Sequence, residues 1–227
     1  MFMQLPREVP VMILSNATLF PQALLPLYIF ERRYRKMLAD TLKTHRMFAV
    51  AMQRPGSSRE VPAPVAGLGV VRVSVEHKDA TSHLILQGLA RVQLCEAVRY
   101  KPYRKHRVEL LSAPPCDGPA VDTLVDKLRN LLEQRIQLGL PFPFPVAPSP
   151  DSNNAKTTGI SAKEVLQYLG AIKDPEQLAD LVSCAVLPDA RQRQTILETV
   201  AVDTRLRRLI QFLTADVRRR RKSSGRD

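Results

Sequence analysis

Residues 19–37 of the chain, LFPQALLPLYIFERRYRKM, join a proline-broken apolar run directly to a strongly charged segment. The apolar run from Leu25 to Ile29 is short, interrupted by proline and typical of a strand. Beyond it, one apolar stripe recurs at helical spacing and consists of Phe30, Tyr34, Met37, Leu38, Thr41 and Leu42. The stretch therefore predicts a strand that leads without a long loop into an amphipathic helix.

The first half of the chain is otherwise strand-like. Short apolar or alternating runs rich in Val, Leu and Ile are separated by Pro and Gly as far as residue 111. The predicted strands are 11–14, 25–29, 47–53, 69–75, 83–87, 90–100 and 103–111. A polar segment at 77–82 joins two of them and Gly88 separates two others, so we expect long antiparallel hairpins.

The second half has a helical pattern. From Pro119 onward the apolar period is that of a helix, and a capping-box pattern at Ser161 and Glu164 opens another. Residues 141–159 contain five prolines followed by Asp and Asn, a composition that favours extended chain, so we interpret them as a flexible insertion. The predicted division is a β-rich subdomain with one helix at 1–114, a helical subdomain at 115–217 and a basic tail at 218–227.

The composition is globular, with a large excess of positive charge. The chain has 227 residues, of which 44% are hydrophobic, and this is enough to bury a sizeable core. Its formal net charge of +12 makes nucleic acid, anionic lipid or an acidic protein a candidate partner. Nine of the 34 Lys and Arg residues lie between 205 and 227, where the acidic residues are Asp216 and Asp227. The charge is therefore concentrated at the C-terminal end.

The sequence contains none of the common patterns for catalysis or for binding a cofactor. It has no phosphate-binding GxxxxGK[ST], no GxSxG nucleophile elbow and no HExxH metal helix. His77, Asp79 and His83 would meet at a metal if they lay on facing strands, but a solvated hairpin tip explains the same residues without an ion and is the interpretation we adopt. We therefore expect no enzyme activity, no cofactor and no metal.

The cysteines and the N-terminus indicate a soluble cytoplasmic protein. The three cysteines are widely spaced and form no CxxC pair, so they support neither a disulfide framework nor a zinc site. The first ten residues hold no apolar run of signal-peptide length, and nowhere do 18 apolar residues follow one another. We expect no membrane partner.

Two basic segments are candidates for binding nucleic acid. The first interleaves cations with tyrosines, a mixture suited to single-stranded nucleic acid, and comprises Lys101, Tyr103, Arg104, Lys105 and Arg107. The second is the run Arg218, Arg219, Arg220 and Arg221. A solvated turn and a soluble tail are the alternative interpretations of these two segments.

Several stretches together resemble one family. They are Leu19-Phe20-Pro21 with residues 25–37, then GLGVVR at 67–72, LQGLARV at 86–92, LADLV at 178–182, and Gln194 with Leu197-Glu198 and Arg205-Leu206. Over residues 9–215 the chain is similar to the N-terminal substrate-binding domain of Lon proteases. Since the ATPase and protease modules of Lon are not found in these 227 residues, the chain resembles the free-standing form of that domain.

The resemblance implies an α+β fold, with a PUA-like, mostly antiparallel β-barrel subdomain followed by an α-helical subdomain. It also implies a non-enzymatic module that binds unfolded or degron-bearing polypeptides, or a protease partner. RNA binding by a PUA-like protein through its basic patches is the alternative function.

The loop at 16–22 is the candidate peptide-binding surface, through Leu19, Phe20 and Pro21, with Phe20 as the anchor. Burial of Phe20 in the core of the barrel is the alternative for this loop.

Overall fold

The computed structural model describes residues 5–57, 60–116, 118–139 and 162–224, and for 162–166, 223 and 224 it describes the backbone. The predicted insertion at 141–159 and the predicted cap at Ser161 lie outside these residues. The strands are β1 (Glu8–Leu14), β2 (Leu24–Ile29), β3 (Met47–Met52), β4 (Val65–Glu76), β5 (Ser82–Arg99) and β6 (Arg104–Leu111). The helices are α1 (Arg32–Leu42), α2 (Pro119–Gln137), α3 (Ala162–Ala171), α4 (Pro175–Val186), α5 (Ala190–Glu198) and α6 (Val202–Ser224).

These elements form two compact units. The described residues up to Ser112, together with Arg193–Glu198, form the first unit, and those from Ala113 to Gln192 and from Thr199 onward form the second. The first unit holds all six strands and α1, and the second holds α2, α3, α4 and α6. The α+β class, with a mostly antiparallel sheet and helices, is therefore confirmed.

The sheet of the first unit closes on itself. Its strand order is β2-β5-β4-β3-β1-β6, and β5 also pairs with β6, so five strands form a ring with β2 attached to the first half of β5. The β1–β3 pair is parallel and the other pairs are antiparallel. Closure pairs the outer edge of β6, while β2 is paired through β5 alone and keeps an outer edge.

Two hydrophobic clusters fill the first unit. One joins α1 to the strands through Tyr34, Met37 and Leu38, and the other is built on β1, β3 and β4. The whole of β3, MFAVAM, is buried, as expected of a strand covered on both faces. The predicted stripe of α1 is correct from Tyr34 onward, but Phe30 precedes the helix and is 60% exposed.

The second unit packs its helices around apolar stripes and buried arginines. Leu128 and Leu132 of α2 and Leu206, Leu209 and Leu213 of α6 are buried. Arg205 is fully buried, and its guanidinium donates to Asp180 at 2.9 Å and to the carbonyl of Thr199 at 2.8 Å. Because it is paired inside the unit, Arg205 does not belong to a basic surface.

The predicted break at Gly88 is wrong, because the two predicted strands form one continuous β5. Gly88 lies inside this strand at the point where the loop before β2 crosses it. A Cβ atom on Gly88 would lie 1.9 Å from the carbonyl oxygen of Phe20, and one on Gly67 would lie 1.9 Å from that of Leu19. Backbone hydrogen bonds from Gln22 to Gly88 and from Gly88 to Ala23 hold the loop there. Glycine is needed here for close approach and does not mark a turn.

We predict that Gly88→Ala destabilises the chain by about 1–3 kcal/mol or more, because the added methyl overlaps backbone that hydrogen bonds hold in place. Gly170→Ala in α3 is the matched control, since nothing lies within 4 Å of its added Cβ, and alanine favours a helix. Urea denaturation followed by circular dichroism measures both. Equal midpoints for wild type and Gly88→Ala would contradict the close approach.

Candidate functional site

The loop predicted to bind peptide is folded into the first unit. Leu19 and Phe20 are 1% and 0% exposed, and Pro21 is half-buried. The guanidinium carbon of Arg91 lies 5.9 Å from the centroid of the Phe20 ring, and Arg91 Nε donates to the carbonyl of Leu197 at 3.1 Å. The structure thus shows the alternative arrangement, with Phe20 in the core, and the side chains of Leu19 and Phe20 offer no surface to a peptide.

An exposed apolar surface lies instead on the outer side of strands β2, β5 and β4. Six large apolar side chains here are between 37% and 60% exposed, and we call them the β2–β5–β4 face: Leu24, Tyr28, Phe30, Val73, Val75 and Ile85. Strand register places them together, because Pro26, Ile85 and Val73 form one cross-strand row and Tyr28, His83 and Val75 form the next. Side chains directly opposite one another share a face of the sheet, so the surface is continuous.

Stacked rings run along one side of this face. The Tyr28 ring lies 5.8 Å from that of Phe30 and 4.7 Å from that of His83, with interplanar angles of 28° and 30°. His83 in turn approaches His77 across the hairpin, with Nδ1 of His83 2.7 Å from Nε2 of His77. The rings therefore hold one another in place while remaining exposed.

The outer edge of β2 carries a proline. The N–H of Gly88 donates to the carbonyl of Ala23, so the backbone of Ala23 faces β5. Because successive residues of a strand alternate in direction, the backbone groups of Leu24, Pro26 and Tyr28 face away from β5. Pro26 has no N–H to donate, so an added strand would lose a hydrogen bond at the middle of this edge. The edge therefore favours contact through side chains over strand addition.

A second feature is a surface cleft of about 730 Å³. Val11 and Ile13 of β1, Arg33 and Tyr34 of α1, Glu60, and residues 100–104 before and at the start of β6 line it. It opens where β6 leaves β1, since the pairing of these strands ends at Val11 and Arg104. A volume of this size is typical of a cleft that accommodates a small organic group.

The Tyr34 hydroxyl replaces a neighbouring strand at the base of this cleft. It accepts from the backbone N–H of Ile13 at 3.1 Å and donates to the carbonyl of Ile13 at 3.2 Å. Burial raises the pKa of Tyr34 above its ordinary value, which keeps the hydroxyl protonated and able to donate. One side chain therefore satisfies both backbone groups that β6 leaves unpaired.

An ion-pair network forms one wall of the cleft. Arg33 holds both carboxylate oxygens of Glu60, with Nη2 2.6 Å from Oε1, and also contacts Glu31. Its hydrogen bonds hold the pKa of Glu60 below the ordinary value, although burial acts in the opposite direction. Arg104 donates to the backbone carbonyl of Glu60 at 2.7 Å and lies 5.2 Å from the centroid of the Tyr100 ring.

Comparison with known proteins identifies the family. The model of the ATP-dependent protease La (LON) substrate-binding domain matches residues 8–215. The chain belongs to this family. The Lon protease of Dictyoglomus thermophilum is 24% identical over 94% of the chain, and Lon protease 2 of Myxococcus xanthus is 26% identical over 92%. The chain spans about a quarter of the length of these curated relatives.

Solved structures of Lon N-terminal domains have the same fold. The N-terminal domain of the Mycobacterium avium complex Lon protease superimposes with a TM-score of 0.67 at 18% identity, covering 91% of this chain and 98% of that one. A Lon N-terminal domain protein from Xanthomonas campestris gives a TM-score of 0.61 at 19% identity, covering 90% and 97% of the two chains. The expected resemblance to the Lon substrate-binding domain is therefore confirmed.

The basic residues predicted on this Lon-type domain have different surroundings. Lys101, Tyr103 and Arg104 line the cleft, whereas Lys105 pairs with Glu8 at 3.1 Å and Arg107 pairs with Glu96 at 2.6 Å. Arg218, Arg219, Arg220 and Arg221 are exposed on the last turns of α6, which continues to Ser224. The first predicted cluster is thus partly neutralised, and the residues that remain together are those of the cleft.

Within the part of the chain that the structure describes, no group of three or more His, Cys, Asp or Glu side chains is placed to hold a metal ion. One carboxylate oxygen of Asp79 accepts from the backbone N–H and the hydroxyl of Thr81. None of the described helices is both long enough and apolar enough to span a membrane.

The β2–β5–β4 face was missed at the level of sequence. A signal for it exists, since β2 and the β4–β5 hairpin carry apolar residues at consecutive positions where a half-solvated strand would alternate. Such runs are equally typical of strands buried on both sides, as in β3, so the sequence does not separate the two cases.

We predict that Tyr34→Phe destabilises the chain by about 1–3 kcal/mol, because it leaves a buried N–H and a buried carbonyl of Ile13 without a partner. Tyr168→Phe is the control, since Tyr168 is 62% exposed. Chemical denaturation of both variants tests this. If Tyr34→Phe lowers the free energy of unfolding no more than Tyr168→Phe does, the hydrogen bonds of the Tyr34 hydroxyl do not stabilise the fold.

We also predict an acid-dependent contribution from Glu60. Its pKa is lowered in the folded state, so its stabilising effect is present above its ordinary value of 4.5 and is lost as the pH falls through the folded-state pKa. Between about pH 5 and pH 3, Glu60→Gln should therefore lose less stability than the wild type. Glu133→Gln, on the exposed side of α2, should follow the wild-type curve, and thermal unfolding across this range distinguishes them.

Proposed function

We propose that the chain binds unfolded polypeptide segments through the β2–β5–β4 face and has no catalytic activity of its own. The observation that carries the proposal is six large apolar side chains left exposed together, on a domain of a substrate-binding family. Contiguous exposed apolar surface on a soluble domain is typical of an interaction site. Unfolded segments are the partners that expose matching apolar side chains.

The chemistry of the face supports recognition of a ligand by its content of apolar side chains. Its aromatic side is stacked and preordered through Tyr28, so little side-chain freedom is lost when a ligand covers it. Its aliphatic side consists of Val73, Val75 and Ile85. These side chains offer hydrophobic contacts that do not depend on the orientation of the ligand. Because Pro26 hinders backbone pairing at the edge, we infer that binding depends on apolar side chains in the ligand.

We further infer that the chain recognises substrates on behalf of a protease. Support comes from its relatives, which are Lon proteases in which the matching region is about a quarter of the length. In this role the chain would retain an unfolded or degron-bearing protein, and a protease partner would cleave it.

The test is binding of fluorescently labelled, reduced and carboxymethylated lactalbumin, a permanently unfolded protein, followed by fluorescence anisotropy. The double variant Val73→Thr/Val75→Thr keeps side-chain shape and β-branching, so the strand is retained while the face becomes polar. We expect its Kd to rise by roughly tenfold, from loss of the burial of two methyl groups. Binding should depend only weakly on salt.

Val98→Thr is the matched control, because Val98 is also exposed on β5 but lies outside the face. It should leave the Kd within about twofold of wild type. Equal weakening by the control and the double variant, or equal affinity for native lactalbumin, would refute binding through this face.

A further inference from the structure

The cleft at residues 100–104 keeps an excess of positive charge after its ion pairs are formed. Its lining contains three cations, Arg33, Lys101 and Arg104, and one carboxylate, Glu60. Both oxygens of Glu60 are held by Arg33, which also pairs with Glu31, so the three cations face two carboxylates and one positive charge remains in excess. An anionic ligand is therefore the one that the cleft would favour.

An exposed aromatic ring stands beside these cations. Tyr100 is 64% exposed, and the guanidinium of Arg104 lies over its ring at 5.2 Å. Much of the ring is thus open to solvent, while a cation–π contact with Arg104 restrains it. An acidic peptide needs only the cations, whereas a planar anionic ligand uses both the cations and the ring.

The segment that carries these groups is anchored at its centre. Tyr103 is buried, its hydroxyl donates to Asp40 at 2.9 Å, and the guanidinium of Arg99 lies 4.3 Å from its ring centroid. Tyr100 and Lys101 therefore project from a fixed base, which lowers the entropy lost when a ligand binds.

We propose that this cleft binds single-stranded nucleic acid. One base stacks on Tyr100, and the adjoining phosphates contact Lys101 and Arg104. Stacking on an exposed ring beside a short cationic track is the common mode of single-strand recognition without sequence preference. This site is separate from the β2–β5–β4 face, as it shares no residue with it.

The experiment is fluorescence anisotropy of labelled 15-nucleotide oligouridylate with the full chain at several salt concentrations. Tyr100→Leu removes the ring and should weaken binding by roughly five- to a hundredfold, whereas Tyr100→Phe keeps the ring and should bind within about twofold of wild type. Rescue by phenylalanine separates stacking from a general effect of substitution. Circular dichroism of each variant checks that it is folded.

Lys101→Gln tests the phosphate contact. It should weaken binding and reduce the slope of log K against log salt by about 0.7, the contribution of one phosphate contact with a single strand. Lys43→Gln, at the C-terminal end of α1, removes the same charge from an exposed position outside the cleft and should leave the slope close to wild type.

Three results would each overturn the proposal. Binding by Tyr100→Leu equal to wild type would assign any affinity to surface charge alone, including the arginines of α6. Equal competition by poly-glutamate would show that the cleft selects acidic peptides. Absence of binding at low salt would exclude a nucleic-acid site altogether.

Discussion

The first unit depends on the length of a single strand, β5. Its first half, from Ser82, pairs with β2 on one side, and its second half pairs with β6, while β4 accompanies it along most of its length. A shift of register between Leu68 and Gly69 of β4 lies opposite Gly88 and Ala90, where β5 changes partners, and such an irregularity bends the strands. Without this continuous strand, β6 would not reach β5, the ring would stay open, and the cleft beside β6 would have no fixed wall.

The same strand couples the core to the proposed binding face. Side chains alternate along it, so Leu84 and Leu86 enter the core while His83 and Ile85 face outward. A slip of one residue would exchange the two sets and is therefore excluded by the burial of the inner one. The composition of the face can change without altering the register, because the inner residues alone determine it. We therefore expect polar substitutions on the outer side to affect the proposed binding more than folding.

Much of this fold follows from local pattern, and the failures share one cause. The stripe of α1 was predictable because Tyr34, Met37 and Leu38 are spaced for a helix and are buried on one side. Gly88 was misjudged, and Phe20 was left between two alternatives, because Gly88 and the loop that carries Phe20 meet across a sequence separation that no local period reveals. The cationic segment shows the same limit. Its tyrosines and cations were recognised, but Glu8, which neutralises Lys105, lies 97 residues away.

The net charge of +12 is a poor measure of how much basic surface the protein offers. Arg91, Arg135 and Arg205 are buried, and each bonds to a carboxylate or a backbone carbonyl within its own unit, so their charge stabilises packing and does not attract a ligand. Exposed cations such as Lys43 and Lys127 are spread over the described residues, and the cleft and the end of α6 are two places where several cations lie close together in the sequence. Attraction at these positions is screened by salt, whereas contact at the β2–β5–β4 face is not. Ionic strength therefore separates the two proposed activities, since high salt should suppress binding of a nucleic-acid strand while leaving that of an unfolded polypeptide nearly unchanged.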